Sequence, residues 1–294
     1  MNERVLYSQE PLQTAEQILA AGQPLMDHFG IEADARINQE GFTAALAQLD
    51  PRYKGERSLV RWQLEADQTE WPEATDVLVK QTAEAMRMMH AETPLQGRFD
   101  LVLVMGGARQ APADRARYAA ECLFNKSADF ISVAVLGSQR PLDDQEQAAV
   151  ANYAPHAKTE GDLAISAVKV LEQEENRFAA VHQSEPKLKD VTPTVIEKVR
   201  ASTADVVDFQ LAKMTARGTA AEIELPVGFK LGAVTTQIYQ PATQLDIVRV
   251  AKEYGITDVF TAGNPSDPNV IAKRTTATYL SEVLRTLRAA SLAI

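Results

Sequence analysis

Four short apolar runs constrain the fold more than any other feature: LVLVM at 101–105, FISVAVL at 130–136, KLGAVTT at 230–236 and TDVFTAG at 257–263. The first two carry almost no polar residue at alternate positions, as expected of strands covered on both faces. A glycine-containing or polar turn follows each run, and then a stretch with helical spacing: DRARYAAECLF, DDQEQAAVANY, QIYQPATQLDIVRVAKEYG (closed by Gly255) and RTTATYLSEVLRTLRAA. Repeated strand, loop and helix predict an α/β fold, a Rossmann-like open parallel sheet with helices on both faces and right-handed crossovers. Between the second and third units, KTEGDLAISAVKVLE opens a helix. FAAV (178–181) and VVDF (206–209) both qualify as a further strand, and the polar stretch HQSEPKLKDVTP (182–193) reads as a surface loop.

Upstream the period is different. LQTAEQILAAGQPLMDHF puts Leu12, Ala15, Ile18 and Leu19 on one helical face, and FTAALAQL repeats the spacing. TDVLVKQTAEAMRMMH offers Val77, Leu78, Thr82, Ala85 and Met88 at comparable intervals, with loops at GIEAD and DPRYKGE. No strand pattern occurs there. The reading is two domains, a helical subdomain over 1–96 and a Rossmann-like domain over 97–294, with Trp62 and Trp71 anchoring the packing of the first. A chain of 294 residues is long enough to bury a substantial core in this arrangement.

Composition removes several function classes. A formal net charge of −10 with no basic block argues against a nucleic-acid partner, because phosphate backbones reward clustered Lys and Arg. Cys122 is the single cysteine, so an intrachain disulfide and a cysteine-rich metal site are both impossible, which fits a reducing compartment. In AAECLF it reads as core filler, since a thiol in apolar surroundings stays protonated. The start, MNERVLYSQEPLQ, lacks the pattern of a signal peptide, and no apolar run is long enough to span a bilayer. The expectation is a cytoplasmic protein with no membrane partner.

Polar and glycine residues gather where the apolar runs end: Gly106, Gly107 and Arg109; Gly137, Ser138, Gln139 and Arg140; Thr235, Thr236 and Gln237; Gly263 and Asn264. In open parallel sheets ligands bind in the crevice outside those ends, so these segments are expected to converge. Helix starts after glycine-rich turns present free backbone N–H groups and a positive dipole end, and Arg109, Arg115 or Arg140 would add charge for a phosphate or carboxylate. The bland alternative is that each glycine only serves its turn. No G-x-G-x-x-G and no P-loop occurs, so a standard dinucleotide or nucleoside triphosphate site is not expected. His28, His90, His156 and His182 share no metal-ligand spacing, so no metal site is expected, and no G-x-S-x-G elbow of a serine hydrolase exists. Ser138 follows a strand as a nucleophile would, without an identifiable base. Glu160 and Asp162 open a helix, where carboxylates stabilise the amino end, with acid/base work as the other reading.

Strand–GG–Arg–helix, then strand–GS–loop–TEGD–helix, then AVTTQIYQPATQLDIVRVAKEYGI: this order resembles the YdcF-like family, a bacterial domain of unknown function whose relatives include the envelope proteins SanA and ElyC. The resemblance covers roughly residues 100–290. Gly106, Gly107 and Arg115 match the first signature; Gly137 and Ser138 match loosely the Ser-Gly-Gly of the second. Thr159, Glu160 and Asp162 are similar to its Ser/Thr-Glu-x-Glu helix start. Of the third, V-T-S-x-x-H-x-x-R, the chain keeps Val234, Thr235 and Thr236, but Tyr239 stands at the histidine and Ala242 at the arginine. The resemblance implies a Rossmann-like sheet and a pocket for a small anionic, nucleotide-like molecule, in a soluble member without the family's apolar anchor helix. The helical first hundred residues would cap the crevice. It supplies no reaction. An enzyme on a small anionic metabolite, a non-catalytic sensor that has lost the family His and Arg, and a structural partner protein docking through its N-terminal helices remain the three function classes.

Overall fold

The computed structural model describes residues 13–31, 38–53, 61–67, 69–89, 94–125, 127–199, 201–219, 221–266 and 268–294. Leu12, His90, the Trp62 side chain and parts of both N-terminal loops lie outside the described residues. The described part of the chain begins with helices α1 (Ala15–His28), α2 (Gln39–Leu49), α3 (Arg61–Glu65) and α4 (Glu73–Ala85), with a 3-10 turn at Pro51–Tyr53. It then alternates through β1 (Gly97–Arg98), β2 (Leu101–Val104), α5 (Ala111–Phe124), β3 (Ala128–Asp129), β4 (Ser132–Ser138), α6 (Asp144–Val150) and α7 (Glu160–Val181). The remainder is β5 (Asp190–Ile196), α8 (Thr203–Thr215), β6 (Lys230–Thr236), α9 (Gln240–Lys252), β7 (Asp258–Asn264), α10 (Pro268–Ala272) and α11 (Thr276–Ser291). A 3-10 turn at Gln237–Tyr239 joins β6 to α9.

The two-residue period of a strand divides the core into two layers. Val102 and Val104 of β2 pack with Ala116, Ala120, Ala167 and Leu171 of α5 and α7. Leu101, Leu103 and Met105 turn the other way, onto Val207 and Leu211 of α8 and Ile247 and Val250 of α9. A strand buried on both faces must be apolar throughout, which is why LVLVM carries no alternation. All five strands of the main sheet are parallel, in the order β5-β4-β2-β6-β7, with Val102 opposite Val133 on one side and Gly232 on the other. The chain starts in the middle at β2, steps outward through β4 to β5, and returns to lay β6 and β7 on the opposite side. The reversal falls between β2 and β6, where a crevice opens in this class of sheet. The architecture is the Rossmann-like open α/β fold expected from the alternation.

The fifth strand is where the expectation fails. Asp190–Pro193, read as loop, form the first half of β5, paired with β4 from Ser132↔Asp190 to Ser138↔Ile196. As an edge strand β5 needs no second apolar face, and Pro193, which cannot donate to a ladder, is tolerated because its far side has no neighbour. FAAV is the last turn of α7 and VVDF lies inside α8. Capping boxes, Thr159 with Asp162 and Ser202 with Asp205, commit both segments to helix from upstream, and a four-residue apolar run alone cannot reveal that.

The N-terminal helices bury their apolar stripes against the end of the chain. Ile18, Leu25 and Met26 of α1, Leu46 of α2 and Val79 of α4 share one cluster with Leu245 of α9 and Leu280, Val283, Leu284 and Leu287 of α11. Gly22 of α1 leaves room for the Leu287 side chain, which a methyl group would overlap. On α4 the buried stripe is Thr75, Val79, Thr82 and Ala83, while Val77 and Ala85 are exposed, a correction to the expected face. Two threonines can be buried there because Thr75 hydrogen-bonds the His28 ring and Thr82 donates to the Leu78 carbonyl.

Gly106, just past β2, sits where the ends of β2 and β4 converge, and a side chain there would overlap the Leu136 carbonyl group and the Gly137 backbone. Backbone on both sides cannot yield as a flexible side chain would. Gly106→Ala is expected to lower unfolding stability by about 3 kcal/mol, the upper part of the range for overpacked sites, read as a lower urea midpoint at unchanged slope.

Candidate functional site

Three strand ends, those of β2, β4 and β6, open into a cavity of about 410 Å³, within the range of small-molecule sites. Its floor is Met105 to Arg109, Leu136 to Ser138, and Thr235. The walls come from Arg140, from Glu146 of α6, Glu160 of α7, the start of α8 at Ala201–Thr203, and Glu282 and Arg285 of α11. Arg52 and Leu64 from the N-terminal region complete the enclosure.

Ten of the residues expected at the site line this cavity: Gly106, Gly107, Arg109, Arg115, Gly137, Ser138, Arg140, Glu160, Thr235 and Tyr239. Five stand elsewhere. Gln139 is exposed beyond β4, and Thr236 points to the opposite side of β6 from Thr235, accepting from Arg115. Gln237 donates to the Arg87 carbonyl at 2.6 Å and fills the space beside Gly263, and Asn264 is buried at the end of β7. The end of β7 is thus packed against the helical layer, so the fourth expected loop does not reach the crevice.

The glycines serve packing. Gly106 brings β2 and β4 together, and Gly137 and Gly161 let α7 lie against β4 and β5. Gly107 differs: its φ of +146° is costly for any other residue, and its open side faces the Arg115 guanidinium. Arg115 is buried and uses all three nitrogens inside the protein. Nη1 donates to the Met105 carbonyl at 2.7 Å and to that of Gly106, while Nε and Nη2 donate to Thr236 Oγ1 at 3.1 and 3.0 Å. Its carbon lies 6.0 Å from the Tyr239 ring centroid, and that of Arg285 lies 6.0 Å from the same ring.

Arg140 joins the two carboxylates of the opposite wall. Its Nε bonds Glu160 at 2.8 Å, and Nη1 and Nη2 grip Glu146 at 3.1 and 2.9 Å. Burial works against a charged Arg140, but Glu146 and Glu160 outweigh it and raise the guanidinium pKa above its ordinary value. Ser138 Oγ donates to the second oxygen of Glu160 at 2.7 Å, supplying the partner that the sequence could not identify. Glu160 is positioned by the α7 cap, where Asp162 accepts from the Lys158 and Thr159 amides at 2.8 and 2.9 Å.

Arg109 takes a left-handed backbone, φ +56°, uncommon for a long side chain. Tyr153 holds that conformation by donating to the Arg109 carbonyl at 2.7 Å. The side chain reaches Glu65 of α3 through Nη1 at 3.2 Å, while Nε is buried with no hydrogen-bond partner among the described residues. Beyond it α5 starts with no side-chain cap, and Pro112 occupies its first turn. The other glycine-turn helix, α6, is closed by its own Asp143–Glu146 capping box, so its start is not open to an anion.

Arg52, Glu146, Thr203, Glu282 and Arg285 were not legible as site residues, since none follows an apolar run or a glycine. Arg52 lies in the N-terminal region, bonded to the buried Asp50 carboxylate through Nε and Nη2. Burial lowers its pKa, but Asp50 and Glu282 more than offset this and hold it charged. Arg285 bonds Glu282 at 3.3 Å and Thr203 Oγ1 at 3.0 Å, with Asp246 at 3.9 Å behind it. Five arginines and three glutamates line the cavity, an excess of two positive charges inside a chain of net charge −10. Asp50, Glu65 and Asp246 stand behind the arginines and outside the lining.

Among the described residues no group of His, Cys, Asp and Glu is placed to hold a metal. Cys122 is buried away from the cavity, and burial raises its thiol pKa. No described helix is long and apolar enough to cross a membrane. No protein-family model, curated protein or solved structure matches this chain. The resemblance to the YdcF-like family therefore rests on the quoted residues alone.

Burial pushes the Asp162 carboxyl up, but the Lys158 and Thr159 amides and the Thr159 hydroxyl outweigh it and hold its pKa below the ordinary value. A depressed folded-state pKa stabilises above the unfolded value near 3.9, and that contribution fades as pH falls further. Asp162→Asn should cost about 1 kcal/mol at pH 7, and urea titrations should find the gap to the parent narrowing below about pH 4.

Proposed function

We propose that this chain is a cytoplasmic, YdcF-like protein that binds a small anionic, nucleotide-like molecule in the cavity at the carboxyl ends of β2, β4 and β6. The observation that carries this reading is the concentration of five arginines around one partly enclosed space in an acidic chain. Guanidinium groups match carboxylate or phosphate geometry, and their partial withdrawal from water strengthens the attraction. Its place at the reversal of strand order agrees with where ligands bind in such sheets.

A second reading, binding without turnover, is favoured by two observations. Tyr239 and Ala242 occupy the positions of the family's His and Arg, and Ala242 is wholly buried in the apolar cluster beneath α11. The three cavity glutamates are each tied to an arginine, Glu146 and Glu160 to Arg140 and Glu282 to Arg285. A carboxylate already engaged by a guanidinium is a poor general base.

Thermal denaturation against a panel of nucleotides, sugar phosphates and the matching uncharged nucleosides and sugars tests the reading. A charged compound should raise the melting temperature with concentration, by about 2.7 kcal/mol of added stability at 100 times its Kd, and its uncharged counterpart should not. A flat response to every charged compound overturns the reading. Incubating the bound compound with the protein and following it by NMR separates turnover from binding.

A further inference from the structure

Hydrogen-bond accounting divides the five cavity arginines into two sets. Arg115 engages all three of its nitrogens with Thr236 and two backbone carbonyls, and Arg140 all three of its own with Glu146, Glu160 and the Pro141 carbonyl. The other three keep donors in reserve. Arg52 bonds Asp50 through Nε and Nη2, which leaves Nη1 without a hydrogen bond among the described residues. Arg109 bonds Glu65 through Nη1 alone, which leaves Nη2 and the buried Nε. Arg285 bonds Glu282 and Thr203 through its two terminal nitrogens, which leaves Nε.

These reserves belong to cavity-lining residues on three separate segments: the 3-10 turn at Pro51–Tyr53, the β2–α5 turn, and α11. Arg109 Nε is withdrawn from water with no acceptor among the described residues, a costly arrangement that a ligand bringing acceptors relieves, while the remaining reserves stay available to the same ligand. A carboxylate could accept from four nitrogens, but its acceptor sites lie in one plane, whereas donors on three separate segments suit an acceptor group that spreads in three dimensions. A phosphate group offers three terminal oxygens in a tetrahedral spread and matches guanidinium forks.

We propose that the ligand carries a phosphate group, held by Arg52, Arg109 and Arg285, and that Arg115 and Arg140 build the cavity without holding the anion. The assignment rests on the cavity being the ligand site. It makes the helical N-terminal region, through Arg52, a determinant of specificity alongside the α/β sheet.

Isothermal titration of the full chain with inorganic pyrophosphate, and with malonate as a dicarboxylate, provides the test. The parent protein should bind pyrophosphate and prefer it over malonate. Arg109→Gln removes a side chain whose ion-pair partner, Glu65, is itself partly exposed, so the fold stands while pyrophosphate affinity drops about tenfold or more, as for a lost charge-assisted hydrogen bond. Arg52→Lys keeps a positive charge beside buried Asp50 but loses the guanidinium Nη1, and should also weaken binding; should it not fold by circular dichroism, Arg109→Gln decides alone. Unchanged pyrophosphate affinity in Arg109→Gln overturns the assignment while leaving the cavity reading intact. Equal affinity for malonate overturns the phosphate class. No pyrophosphate binding by the parent also overturns the assignment, and the nucleotide and sugar-phosphate panel then judges the cavity reading independently.

Discussion

The guanidinium of Arg115 ties together the two strand ends between which the cavity opens. Where the strand order reverses, β2 and β6 run side by side to their carboxyl ends, and the helices that follow them, α5 and α9, pack on opposite faces of the sheet. Arg115 fills the resulting gap, joining the backbone at Met105 and Gly106 to the hydroxyl of Thr236. A charge buried that deeply is tolerated only when its donors are met, and here all three nitrogens are. The Gly106–Gly107 turn keeps its carbonyls aimed at the guanidinium, and the positive φ of Gly107 clears the space in which it lies. The shape of the cavity floor therefore follows from one side chain and two glycines. Arg109 then leaves that turn in a strained conformation secured by Tyr153.

Around this floor the charges are arranged in compensating pairs. Arg140 bridges Glu146 and Glu160, Arg285 meets Glu282, and Arg52 is gripped by Asp50. Buried ion pairs of this kind add little net stability, because desolvation offsets most of the Coulomb attraction, while losing one member leaves a costly orphan charge. Their effect is positional: each arginine is held in one orientation, and those with donors to spare present them at fixed points. A rigid set of donors in a partly enclosed space binds an anion with little reorganisation.

The helical layer takes part in this arrangement. Its core is continuous with α9 and α11, so the cavity wall formed by α11 is supported from behind by α1, α2 and α4. Arg52 and Leu64 reach the cavity from the same layer, and Thr275, at the start of α11, donates to the Leu64 carbonyl at 2.7 Å. Burial of α11 along nearly its whole length follows from this double duty: one side meets α9, the other the N-terminal helices.

The amino-acid sequence alone determined the class of fold and the edge of the sheet on which the cavity lies. Unbroken apolar runs are affordable only in strands covered on both faces, and helix-period segments between them force parallel pairing. Gly106, Gly107 and Ser138 were legible because strand ends are punctuated locally. The edge strand β5 was not, since a strand with one neighbour needs neither an apolar run nor freedom from proline. The tertiary structure decided which arginines have donors free. Arg109, Arg115 and Arg140 look alike in sequence, but Arg115 and Arg140 have all three nitrogens engaged, by groups as far as 121 positions away. Arg52 and Arg285 join the site only because packing brings distant segments to one cavity. Hydrogen-bond saturation is a property of neighbours in space, and no local pattern in the chain encodes it.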